Sequence, residues 1–169
     1  MIKFYKVSYE QFKKDLLKTN KLYHLLEEEK IRKIYDEIKL PKRATRSSAG
    51  YDFFAPISIC FLPNESEMFP TGIRAEMDEN VVLLLAPRSS LGFKHRLVID
   101  NTIGVIDSDY FNADNEGHIH CKMHFTSNEE VFEIKKGEAY MQGIFINYLK
   151  TNDDEVDAIR HGGIGSTNK

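Results

Sequence analysis

Five short stretches carry the residues best suited to chemistry. In Asn101-Thr102-Ile103-Gly104-Val105-Ile106-Asp107-Ser108-Asp109-Tyr110 the carboxylate of Asp107 ends an apolar run. Partial desolvation there makes it a candidate general base, and Gly104 among strand-like residues marks close backbone approach or a bulge. The plainer reading takes Asp107 and Asp109 as turn residues. Pro87-Arg88-Ser89-Ser90-Leu91-Gly92-Phe93-Lys94-His95-Arg96 packs four basic or potentially basic side chains and two hydroxyls into ten residues. Arg88 beside Ser89 suits the clamping of an oxyanion, a forked cation next to a short donor; a strand-to-helix turn capped by Ser fits the same residues. Ala44-Thr45-Arg46-Ser47-Ser48-Ala49-Gly50-Tyr51-Asp52 runs small residues into an isolated carboxylate. The end of the chain, His161-Gly162-Gly163-Ile164-Gly165-Ser166-Thr167-Asn168-Lys169, reads as a flexible arm rich in accessible amides and hydroxyls, with Arg160 upstream as a charged contact.

The fifth stretch holds His118, His120, Cys121 and His124. The three histidines share strand parity, which makes a zinc site conceivable. Three imidazoles on one strand do not comfortably reach one tetrahedral ion, so surface or interface histidines are the simpler expectation. Neither GxxxxGK[ST] nor GxGxxG occurs. Phe111 and Asn112 stand where an EF-hand loop needs an oxygen ligand and Gly.

These residues must be positioned by mostly β structure. Ile2 to Val7 reads as a strand. Ser8-x-x-Gln11 has the capping-box pattern, and Phe12, Leu16, Tyr23 and Leu26 share one stripe of a helix expected from Tyr9 to Glu29. Glu27-Glu28-Glu29 reads as its solvated face. After Pro41, strands are expected at Asp52–Ala55, Ile57–Leu62, Gly72–Met77, Val81–Leu85, Ile103–Ile106, His118–Phe125, Glu130–Ile134 and Ala139–Tyr148, punctuated by Pro, Asn-, Asp- and Gly-containing turns. Strand after strand without intervening helices predicts an antiparallel sandwich or jelly-roll-like barrel.

The bulk composition bounds the partners. The 169 residues suit one domain, and 41% hydrophobic with 29% charged residues is a soluble globular composition. A net charge of -3 gives no footprint for duplex nucleic acid or an anionic membrane. Two distant cysteines, no signal-like start and no apolar run long enough to span a bilayer predict a cytoplasmic protein in a reducing compartment.

Taken in order, these segments resemble the five motifs of the trimeric dUTPase (dUTP diphosphatase) family. Residues 44–52, 87–92 and 101–110 are similar to the first three. Gly137-Glu138-Ala139-Tyr140-Met141-Gln142 is similar to the fourth and Gly162-Gly163-Ile164-Gly165-Ser166-Thr167 to the fifth. Pro70-Thr71-Gly72-Ile73 also stands where the family has a turn.

The resemblance implies a mainly β fold: a jelly-roll-like, β-clip barrel forming one domain over 1–169. An N-terminal helical insertion at 9–30 and a phosphate-covering arm at 160–169 complete it. A homotrimer with shared active sites and Mg²⁺-dependent hydrolysis of dUTP to dUMP and pyrophosphate follow, keeping uracil out of DNA and supplying dUMP for dTMP synthesis.

By the same resemblance, Asp107 is the general base toward water attacking the α-phosphorus. Tyr110 packs on deoxyribose and leaves no space for a 2′-hydroxyl. Asn101 and backbone near Gly104 read the uracil edge. Arg88, Ser89, Ser90 and Gln142 hold the phosphate chain, and Asp52 acts on Mg²⁺ through water. Arg160, Ile164, Gly165, Ser166 and Thr167 close over the nucleotide. Departures from the pattern are Ile164 where the arm carries Phe, a shorter spacing from Arg160 to the glycines, and a longer loop at Phe111–Glu116. The helical segment lies outside the resemblance.

Two other readings share these residues. A dCTP deaminase has the same fold and an Arg-Ser-Ser-Leu-Gly motif, but needs a Glu on the strand after the Asp motif, where Gly117–Lys122 holds no carboxylate. A dUTP-binding regulatory protein would use the helix and the 111–116 loop as docking surfaces, although Asp107 is retained.

Overall fold

The computed structural model describes residues 1–127, 131–158, 160 and 162, with main chain only at Lys21 and Leu22. Along Val81–Pro87 (β7), Val81, Leu83 and Leu85 are buried and alternate with half-buried Val82, Leu84 and Ala86. This two-residue period sets one face of a strand on a core. β7 is flanked in a five-stranded antiparallel sheet of order β2–β3–β12–β7–β9, formed by Lys42–Arg43 (β2), Tyr51–Phe54 (β3), Ala139–Asn147 (β12) and Gly104–Ile106 (β9). A second antiparallel sheet has order β5–β10–β8, from Ser66–Pro70 (β5), His120–Phe125 (β10) and Leu97–Ile99 (β8). Two ribbons pair Lys3–Lys6 (β1) with Ile73–Glu76 (β6), and Ile59–Phe61 (β4) with Phe132–Ile134 (β11). Phe53, Phe61, Phe69, Leu83, Leu97, Met123, Phe125 and Tyr140 are fully buried between these layers.

The N-terminal segment joins the same core. Tyr9–Thr19 (α1) buries Phe12 and Leu16 completely, and Glu28–Asp36 (α2) buries Ile31 and Ile34. The single helix expected over 9–29 is therefore two helices. α1 stops because Asn20 is extended (φ -148, ψ 127), and a 3₁₀ turn at Lys21–Leu25 follows. Tyr23 and Leu26 still pack on the core from this turn, so the apolar stripe was real while its helix was not continuous. The acidic run Glu27–Glu29 begins α2, where negative charge suits the positive end of the helix.

The capping box is also rearranged. Ser8 Oγ accepts from Gln11 N–H as expected. Gln11 does not reach back; Glu116 takes both the Ser8 N–H (2.7 Å) and the Ser8 hydroxyl. The strand at 118–125 begins only at His120, and 72–77 contracts to 73–76. Strands β5 and β8 have no counterpart in the sequence expectations. Ser89–His95 (α3) follows β7 with Arg88, not a serine, at its N-cap. Of the expected strand 130–134, Glu130 lies outside the described residues.

Candidate active site

The candidate residues form two groups at opposite ends of β7. At its C-terminal end, cross-strand register places Gln142 of β12 opposite both Asp52 of β3 and Ala86 of β7. Arg88 follows the strand, and its Nε lies 3.4 Å from Asp52 Oδ1. Gln142 Nε2 donates weakly to the Pro87 carbonyl at 3.4 Å. Ser89 and Ser90 open α3 with exposed side chains. The group is a cation, two hydroxyls, an amide and one carboxylate around open solvent, a donor set for a polyanion. Gly50 packs closely on this group: a Cβ there would stand 2.6 Å from Gln142 Oε1, so the Gln142 amide would have to turn away.

The second group surrounds the turn between β8 and β9. Asn101, Gly104, Val105, Ile106, Tyr110, His120 and Arg160 line a cleft of about 210 Å³. Gly104 lies against β7, where a Cβ would come within 2.9 Å of Leu85 Cβ. Asp107 follows β9 and precedes the 3₁₀ turn Ser108–Asn112, its side chain half exposed. Arg160 Nη1 donates to Asp107 Oδ2 at 2.8 Å and Asp109 Oδ1 at 3.2 Å, and its guanidinium lies 5.1 Å from the Tyr110 ring centre. Burial works against its charge, but these two carboxylates outweigh that and raise the Arg160 pKa further. Tyr110 is buried, which raises its phenol pKa and keeps it a proton donor.

Register measures the separation of the groups. Leu83 pairs with Ile106, so Asp107 is level with Val82. Arg88 lies six residues farther along β7, about 20 Å at the usual rise of a strand. Within one chain the two groups therefore stand well apart along the sheet.

Behind the cleft is a buried polar network that the sequence reading did not anticipate. Asp15 of α1 faces His118, with Oδ2 2.7 Å from Nδ1, and accepts from Gln11 Nε2 at 2.6 Å. Gly72 N–H donates to His118 Nε2 at 2.9 Å. A backbone N–H can only donate, so Nε2 carries the lone pair and Nδ1 the proton. Burial raises the Asp15 pKa, but the hydrogen bonds from His118 and Gln11 outweigh it and hold the carboxyl below its ordinary range.

His120 Nδ1 faces the His118 carbonyl at 3.0 Å, and burial together with the neighbouring His118 ring lowers its pKa. Of the histidines expected at a surface or interface, His118 is instead fully buried, while His120 and His124 are half-buried and His124 pairs with Ser66. Asp15, His118 and His120 place one ligand atom each within 4.8 Å of the others. The tautomer nonetheless points a proton, not a lone pair, from His118 at that space, which opposes a metal there. A signal for Asp15 existed: it lies between Phe12 and Leu16 on the apolar stripe of α1, where a carboxylate needs a partner.

Ile164, Gly165, Ser166 and Thr167, with His161, lie outside the described residues. The strand after the Asp107 segment carries no carboxylate over His120–Phe125, so the group a deaminase needs there is missing.

Fold and site define the class: a jelly-roll-like β protein with a nucleoside-sized cleft, a carboxylate beside it and a separate set of anion donors. The family is settled by comparison. The dUTPase family model matches residues 36–168, and the chain belongs to the dUTPase family. It is 45% identical over 133 residues to the deoxyuridine 5'-triphosphate nucleotidohydrolase of Lactococcus lactis, spanning 77% of this chain and 88% of that one. The protein of that name from Nautilia profundicola is 34% identical over 145 residues, 83% of this chain and 98% of that one. The crystal structure of the Streptococcus mutans dUTPase superposes with a TM-score of 0.64 at 38% identity, covering 69% of this chain and 91% of that chain. α1 lies outside the range matched by the family model.

Proposed function

We propose that the chain hydrolyses dUTP to dUMP and pyrophosphate in sites shared between subunits of a homotrimer. The observation that carries this reading is the placement of Asp107 beside the Asn101–Tyr110–His120 cleft, a strand's length from Arg88. One subunit supplies the cleft and the base, and another supplies Arg88, Ser89, Ser90, Gln142 and Asp52.

In the reaction a water oxygen bonds to the α-phosphorus as the bond from that phosphorus to the α,β-bridging oxygen breaks. Asp107 orients the water and takes its proton, and pyrophosphate leaves. Arg160 now neutralises Asp107. Its movement to the phosphate chain, together with Ile164, Gly165, Ser166 and Thr167, frees the base when nucleotide is bound. Arg88 and the serine donors hold the phosphate oxygens where charge grows. Tyr110 covers the sugar and excludes a 2′-hydroxyl. The polar edge of the base meets Asn101 and the main chain at Gly104, where an ill-matched base leaves donors unpaired.

Mg²⁺ fits the donor set at the phosphate end in one way. Asp52 is a lone carboxylate already beside Arg88, too few oxygens to enclose a hard cation but enough to hold a hydrated one. The ion, when bound with substrate, neutralises charge on the phosphate oxygens. The physiological setting consistent with this activity is the removal of dUTP before it enters DNA, with supply of dUMP for dTMP synthesis. Among the described residues no helix is long and apolar enough to cross a membrane; we place the enzyme in the cytoplasm.

Product analysis with Mg²⁺ on dUTP, dCTP, dTTP and UTP tests the reading. Pyrophosphate and dUMP from dUTP, lost in Asp107→Asn, are expected. Ammonia from dCTP, or binding of dUTP without turnover, overturns it.

A further inference from the structure

The N-terminal helix, which lies outside the range of the family match, and the 111–116 loop are built into one support. Glu116 accepts from the N–H and hydroxyl of Ser8, the N-cap of α1, so loop and helix share a hydrogen-bonded seam. Phe111 is held under the Arg74 guanidinium, 3.6 Å from the ring centre, and against Tyr5. The loop closes at Gly117, which takes φ +66; a Cβ there would come within 2.5 Å of the Tyr110 carbonyl oxygen. That carbonyl leaves no space for any other residue.

The support ends on the cleft. Asn115 Nδ2 donates to the Tyr110 hydroxyl at 2.8 Å, and that hydroxyl donates to the His118 carbonyl at 2.8 Å. The same carbonyl accepts from His120 Nδ1 at 3.0 Å. One main-chain oxygen therefore holds both rings that line the cleft. Residue 118 is in turn gripped on both ring nitrogens, by Gly72 N–H and by Asp15 of α1. A phenol with donor and acceptor both engaged, on a carbonyl whose residue is clamped, has one orientation.

We propose that Asn115 and Asp15 are positioning residues for selection of the sugar: through the His118 carbonyl they hold Tyr110 and His120 at the distance that admits deoxyribose and excludes ribose. This rests on the hydrolase reading above. It gives the helix and the loop a role inside the active site. Neither residue lines the cleft. Loosening Tyr110 lets its ring yield to a 2′-hydroxyl, so the effect falls on the choice between dUTP and UTP rather than on the chemical step.

The test is steady-state hydrolysis of dUTP and UTP by wild type, Asn115→Ala, Asp15→Ala and Asp15→Asn. Ile59→Val, in β4, controls for loss of stability alone. The ratio of kcat/KM for dUTP over UTP is expected to fall about tenfold in Asn115→Ala and Asp15→Ala, with kcat on dUTP kept within about twofold. Asp15→Asn, which keeps an acceptor for His118 Nδ1–H, is expected to restore most of the ratio. Asn115 is on a half-buried loop, so its variant reports even where Asp15→Ala does not fold. An unchanged ratio in Asn115→Ala, or an equal fall in Ile59→Val, overturns the positioning role. A wild type that leaves dUTP intact overturns the hydrolase reading itself, a separate outcome.

Discussion

The two ends of β7 solve the problem of placing polar groups in different ways. At the C-terminal end, strand register sets Asp52 and Gln142, Arg88 follows from the end of β7, and the side-chain contacts among them are long. At the other end, the cleft is formed by turns, and its rings are locked by a buried network reaching into α1. A flexible triphosphate tolerates exposed, adjustable donors, because charge attracts over distance. Telling one hydroxyl group from none requires a wall that does not give.

The largest expected effect separates the ends by function. Asp107→Asn should lower kcat by about two to four orders of magnitude, the usual worth of a general base. Its half-exposed side chain should leave the melting temperature almost unchanged, which calorimetry would check. The second prediction follows from the separation along β7. Asp107→Asn and Arg88→Ala, each inactive, should recover activity when unfolded together and refolded. Random mixing pairs an intact cleft with an intact clamp in about a quarter of sites. No recovery would place both halves in one chain.

Smaller effects sharpen the contrast in rigidity. Asp15→Ala leaves the buried Nδ1–H of His118 without a partner and should cost about 2–3 kcal/mol of stability. Arg88→Ala removes a partly exposed ion pair worth about 1 kcal/mol or less, read in the same denaturant titration.

The pH dependence has a defined sign. Asp15 is depressed in the folded protein, so its contribution is complete above the ordinary Asp value and is lost as pH falls through the lowered one. Acid unfolding below about pH 4 should be steeper in wild type than in Asp15→Asn. An effect of similar small size is expected at the seam: Glu116→Ala should cost about 1 kcal/mol by releasing Ser8, while kcat on dUTP stays the same.

Much of this was legible in the chain. β7, β9 and β12 appear as short β-branched and apolar runs between turn residues, and Asp107, Arg88, Asp52 and Gln142 stand in ordered motifs. Helix α1 was legible in its stripe; its end was not, because Asn20 leaves the helix while Tyr23 and Leu26 keep the apolar spacing. β5 and β8 were hidden because their pairing with β10 supplies what their own sequences do not.

The sequence by itself determined the class of the fold, the family and the types of group available for catalysis. These follow from local pattern: strand period, turn chemistry and short motifs. Only the tertiary structure decided which groups meet. Asp15 and His118 are 103 residues apart, and Ser8 and Glu116 are 108. No local rule pairs them, because their partnership arises from packing α1 against β strands far along the chain. The same holds for the gap between Asp107 and Arg88: nineteen positions in sequence, but opposite ends of a strand once β9 pairs antiparallel with β7.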